Sequence, residues 1–140
     1  MKILLAVDGS SYSKKMLAYL ANHEALLSPS HDYTVLTVQL ALPVRARAAV
    51  GKDVVDKYHS DEAEKVLGPV DKFLQRHKVN AKGTFKVGHP GEVIAQTAEK
   101  GEFDLVVMGS HGHSALGNLV MGSVATNVLA HCKTPVLLVR

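Results

Sequence analysis

Lys2-Ile3-Leu4-Leu5-Ala6-Val7-Asp8-Gly9-Ser10-Ser11 is the stretch from which the fold follows. From Ile3 to Val7 the apolar character is unbroken, and at Asp8-Gly9-Ser10-Ser11 it gives way to turn and capping residues. Beyond them, Met16, Leu17, Leu20 and Ala21 recur at helical spacing. The order is strand, turn, helix.

Residues 33–40 form a second β-rich run, preceded by a loop marked by Pro29 and Asp32. Residues 44–56 show no clear period. With Gly51 and scattered Arg and Lys, they are expected to be irregular and to serve as a lid. Ala63, Val66, Leu67, Val70, Phe73 and Leu74 then mark an amphipathic helix, in which Gly68-Pro69 is a candidate kink. Residues 81–87 alternate weakly as a third strand, and Pro90 suits the start of the next helix. Residues 103–108 form a fourth strand, residues 109–117 a glycine-bearing loop, residues 123–131 a helix and residues 135–140 a fifth strand.

Strands one, four and five are continuously apolar, which implies burial on both faces under two helical layers. The expected fold is α/β: one domain over residues 1–140, a Rossmann-like, doubly wound five-stranded parallel sheet ordered 3-2-1-4-5. Right-handed crossovers put its ligand crevice beyond the carboxyl ends of the strands, at the switch point.

Composition agrees with a single globular domain. The chain has 140 residues, 46% apolar and 21% charged, enough to bury a core without disulfides. The net charge is +3, but Lys and Arg are scattered, there is no Trp, and aromatics make up 5%, which argues against nucleic-acid binding. Cys132 is the single cysteine and reads as a small core residue. The opening apolar run stops at Asp8, short of a secretion signal, and no apolar run approaches 18 residues. The expectation is a cytoplasmic protein without a membrane span.

The chemistry is concentrated in Met108-Gly109-Ser110-His111-Gly112, Gly117 and Gly122-Ser123-Val124-Ala125-Thr126. Glycines between a buried strand and a helix start allow positive φ and close approach of an anion, and the helix start offers free N–H groups. The stretch is not a Walker loop: four residues separate Gly117 from Gly122, but Ser123 stands where the Lys belongs. Without that cation, binding of phosphate is easier to argue than its transfer.

The spacing Gly109-x-x-Gly112, nine residues, Gly122-Ser123 closely resembles the ATP-binding signature of the universal stress protein family. The resemblance runs through Val7-Asp8-Gly9-Ser10, Val38, Gly88-His89-Pro90, the stretch from Asp104 to Gly112 and the closing Thr134-Pro135-Val136-Leu137-Leu138-Val139, and so covers almost the whole chain. It implies that Ala6, Val7 and Asp8 flank the nucleoside, with the Asp8 carboxylate accepting from a ribose hydroxyl, and that Val38 presents backbone groups to adenine. It further places Met108 and Gly109 beside the nucleoside, and His111, Gly112, Gly122, Ser123 and Val124 around the phosphates. The implied ligand is ATP or AMP, with Mg²⁺ accompanying ATP. A stress-response role, an unidentified protein partner and a homodimer through Val136, Leu137, Leu138 and Val139 are implied as well. Ala125 replaces a hydroxyl residue of some relatives, which would weaken triphosphate relative to monophosphate.

Other readings stand beside these. The alternative for Asp8 is a cap of the first helix, and for the loop glycines simple turn residues. His111-x-His113 lacks a third ligand for zinc; His113 is expected to face solvent and His111 to act through its backbone. Ser110, His111 and Asp8 form a hydrolase triad on paper only, without a Gly-x-Ser-x-Gly elbow. Asp61, Glu62 and Glu64 read as a solvated helix face. The rivals to a nucleotide-binding regulator are a slow ATPase or self-phosphorylating enzyme, and a dimeric module that binds no nucleotide.

Overall fold

A computed structural model describes residues 1–113 and 120–140. Gly117, expected in the phosphate loop, lies outside the described residues. Among them the order is β1 (Lys2–Ala6), α1 (Ser11–Ala21), β2 (Asp32–Gln39), α2 (Val44–Val50), α3 (Lys52–Arg76), β3 (Ala81–Val87), α4 (Pro90–Lys100), β4 (Leu105–Gly109), α5 (Ser123–His131) and β5 (Val136–Val139). The sheet is ordered β3-β2-β1-β4-β5, as expected from the sequence, and each described pairing is parallel.

The unbroken apolar run of β1 divides by alternation between two cores. Ile3, Leu5 and Val7 pack with Met16, Leu17 and Leu20 of α1 and with Val70 and Leu74 of α3. Leu4 and Ala6 point the other way, onto Ile94 and Ala98 of α4 and Ala125 and Val128 of α5. Two buried faces explain why no polar alternation is visible in the strand.

β1 pairs with β2 on one side and β4 on the other. The chain therefore leaves the carboxyl ends of β1 and β4 in opposite directions, and the crevice expected at such a switch point opens there.

The segment 44–56 differs from expectation. It is not irregular: it forms α2 and the first turn of α3, joined at Gly51 with φ 84°. The stretch Val44-Arg45-Ala46-Arg47-Ala48-Ala49-Val50 carries strong helix formers but buries none of its residues, so it folds as a helix without the periodicity that announces one. α3 also continues through Gly68 and Pro69 without ending.

Candidate functional site

A cavity of about 670 Å³ lies over the carboxyl ends of β1, β2 and β4, within the roughly 300–1,000 Å³ common for small-molecule sites. Ala6, Val7, Asp8, Val38, Met108, Gly109, His111, Gly112, Gly122, Ser123 and Val124, the complete set singled out in the sequence, all line it.

Asp8 ends β1 and is fixed by the start of α1. Its Oδ1 accepts hydrogen bonds from the Ser10 backbone N–H and from Ser13 Oγ, each at 2.9 Å. The turn between them needs Gly9, at φ 78°. The cap of α1 is Ser10, whose Oγ accepts from the Ser13 N–H, so Asp8 braces the turn without being the capping residue. Asp8 Oδ2 has no hydrogen-bond partner among the described residues and borders Gly112.

The glycine segments meet through their backbones. The Gly122 N–H donates to the Ser110 carbonyl at 2.7 Å. A Cβ on Gly122 would stand 3.1 Å from His111 Cα and 3.2 Å from that carbonyl, and one on Gly109 only 2.8 Å from Tyr12 Cβ. Gly109, Gly112 and Gly122 are not in the left-handed region, contrary to the expectation of positive φ; what crowds a side chain there is the packing of the loop on Tyr12 at Gly109, of loop backbone on loop backbone at Gly122, and the end of the Asp8 side chain at Gly112. Gly122 also precedes the first turn of α5, where no side chain among the described residues caps the helix and the N–H groups of Ser123 and Val124 have no intrahelical acceptor.

Around these amides, Ser110 Oγ and His111 Nδ1 are 2.8 Å apart, and the His111 ring lies against Tyr12 at 4.8 Å between centroids. His113 is exposed, as expected, yet its Nε2 is 2.7 Å from the Asp8 carbonyl, a tie between loop and turn that the sequence did not signal. Met108 is buried in the core and shows one side to the cavity. Among the described residues no group of three His, Cys, Asp or Glu side chains is placed to hold a metal.

The wall over the crevice comes from α3, through Tyr58, Glu62, Lys65 and Val66. Only Glu62 and Val66 of these featured in the sequence reading, as a solvated charge and a core position. The i, i+4, i+7 spacing of Tyr58, Glu62 and Lys65 puts them on one helix face, which tertiary packing alone turns toward the cavity. α3 is pinned to the end of β2 by a reciprocal pair: Gln39 Nε2 donates to the His59 carbonyl at 2.8 Å, and Gln39 Oε1 lies 2.7 Å from His59 Nδ1. Because the amide donates through its nitrogen, its oxygen accepts, which makes Nδ1 the protonated nitrogen of His59.

The sequence profile described as the universal stress protein family matches residues 1–140. The chain belongs to the universal stress protein family. Universal stress protein Slr1230 of Synechocystis is 34% identical over 140 residues, covering 99% of this chain and 42% of that protein, so the chain spans less than half the length of this relative. The solved structure of MJ0577, from Methanocaldococcus jannaschii, superposes with a TM-score of 0.83 at 27% identity, covering 99% of this chain and 94% of that one. A universal stress protein from Archaeoglobus fulgidus in complex with dAMP shares the fold at a TM-score of 0.67 and 22% identity, covering 100% of this chain and 98% of that one. No described helix is long and apolar enough to cross a membrane.

Proposed function

We propose that this chain binds an adenine nucleotide, ATP or AMP, in the crevice over β1, β2 and β4, and that occupancy is read by a protein partner in a stress response. The observation that carries the reading is the convergence on one cavity of two groups without a side-chain partner among the described residues: Asp8 Oδ2 and the start of α5 behind Gly122. A ribose hydroxyl donates and a phosphate accepts, so the two ends of a nucleotide match the two kinds of group. The relative solved with dAMP supports an adenine nucleotide as the ligand class.

Binding is favoured over turnover by the lining itself. Lys65 is the one Lys or Arg among the described residues of the cavity, and its ammonium is paired at 2.8 Å with Glu62. That leaves no cation fixed in the phosphate loop to follow charge on a transferred phosphoryl group. Ala125 supplies no hydroxyl to a longer phosphate chain, which favours the monophosphate. Mg²⁺ would enter with ATP as part of the ligand.

The same reading includes a homodimer. β5 is an outer strand of the sheet, paired with β4 alone among the described strands, and Val136, Leu137 and Leu138 are only half-buried. Pairing with a second copy would satisfy the open edge.

Isothermal titration with AMP, ATP and GTP tests the ligand class. Saturable binding of AMP and ATP with weaker GTP is expected; equal binding of all three would remove adenine recognition from the proposal.

A further inference from the structure

Ser13, in the first turn of α1, lies outside the glycine signature, and beyond its bonds to Asp8 and Ser10 nothing above gives it a role. It is 5% exposed, and its hydroxyl clamps Asp8 from two sides: Oγ accepts from the Asp8 backbone N–H at 3.0 Å and donates to Asp8 Oδ1 at 2.9 Å. A serine hydroxyl has one proton to give, and here it goes to the carboxylate, while the amide of the same Asp8 occupies an acceptor position.

With the Ser10 N–H as a second donor at 2.9 Å, Oδ1 is held twice. Oδ2 is left as the oxygen with no hydrogen bond among the described residues, on the cavity side against Gly112. The Ser13 hydroxyl thus fixes the plane of the carboxylate and determines which oxygen a ligand meets. The helix cap does not depend on this hydroxyl, because it runs from the Ser13 backbone N–H to Ser10 Oγ. Losing the hydroxyl leaves that cap in place, removes one of the two donors to Oδ1 and strips the part-buried Asp8 N–H of its acceptor.

We infer that Ser13 is the positioning residue that lets this site discriminate a ribose from a sugar lacking its hydroxyls, by ordering the Asp8 carboxylate before ligand arrives. The inference rests on reading the crevice as an adenine-nucleotide site. A carboxylate already in place accepts a hydroxyl proton without first losing rotational freedom; one released from Ser13 must be ordered during binding, and the preference for hydroxyls falls.

The test is a pair of titrations, with AMP and with 2′,3′-dideoxy-AMP, on wild type, Ser13→Ala, Ser13→Cys and Ser13→Thr, each checked for folding by circular dichroism. Wild type is expected to prefer AMP by roughly tenfold or more, the scale of a hydrogen bond to a charged acceptor. Ser13→Ala should lose AMP affinity while its dideoxy affinity stays, shrinking the preference to within about threefold, and Ser13→Thr, which keeps the hydroxyl, should restore it. Ser13→Cys, close in size with a much weaker donor, gives the same reading if the alanine variant does not fold. A folded Ser13→Ala or Ser13→Cys protein that keeps the full preference, or one that weakens both ligands equally, overturns the inference while leaving nucleotide binding intact. A wild type that binds neither ligand overturns the nucleotide reading itself.

Discussion

A Cβ placed on Gly112 would stand 2.8 Å from Asp8 Oδ2, so the glycine loop after β4 and the carboxylate after β1 abut one another. The contact joins the two halves of the crevice, and it sets apart what different glycine substitutions would do. At Gly112 the obstacle is the end of a side chain that can swing away, whereas at Gly122 the nearest atoms are backbone, His111 Cα and the Ser110 carbonyl.

Gly112→Ala should therefore fold, and should weaken AMP by displacing Asp8. A loss of about 1–3 kcal/mol in binding is expected, that of a hydrogen bond to a charged group. In the Asp8→Ala background the same substitution should cost much less, because the carboxylate it displaces is gone. Calorimetric titration of the four proteins forms a double-mutant cycle; additive losses would show that the two residues act separately.

The Gln39–His59 pair carries a stability prediction. His59 is buried, 5% exposed, and its Nδ1 and carbonyl are both engaged by one amide. Gln39→Ala leaves the buried imidazole N–H without its acceptor and should cost about 1–3 kcal/mol in urea unfolding. A cost below a few tenths of a kcal/mol would mean that α3 is held to β2 by apolar contact alone.

Much of this was legible in the sequence, for identifiable reasons. β1 and β4 declare themselves by unbroken apolar runs because both of their faces are covered. The Gly109, Gly112 and Gly122 spacing located the crevice, though for the wrong physical reason: the glycines are crowded by Tyr12, Asp8 and His111, which lie far apart in the chain or across the loop, and are not selected by their own φ. α2 escaped notice because a helix that buries nothing has no period to find. Tyr58 and Lys65 were missed because a residue on an outward helix face and one on a cavity wall have the same local sequence; the difference is made by the packing of α3 on the sheet, through Val70 and Leu74. Ser13 was hidden likewise, since the turn Asp8-Gly9-Ser10 reads as a complete capping signal without it.

The open edge of β5 predicts the oligomeric state. In sedimentation velocity the proposed dimer should sediment as such for wild type at tens of micromolar, and Leu137→Lys, which puts a charge on a half-buried strand position, should shift it toward monomer, with folding verified in parallel. Leu137 also packs against the core, so thermal stability must be followed in the same samples. A folded variant with unchanged dimer affinity would move the interface elsewhere.

The central claim is that the crevice behind Gly122 holds the phosphate end of an adenine nucleotide. The most direct measurement is calorimetric titration of AMP into folded wild type and folded Gly122→Val, in which the added side chain presses on the His111 and Ser110 backbone and intrudes at the start of α5. Saturable binding by wild type that is abolished in the variant is the predicted result. Equal AMP affinity in the two folded proteins would contradict it.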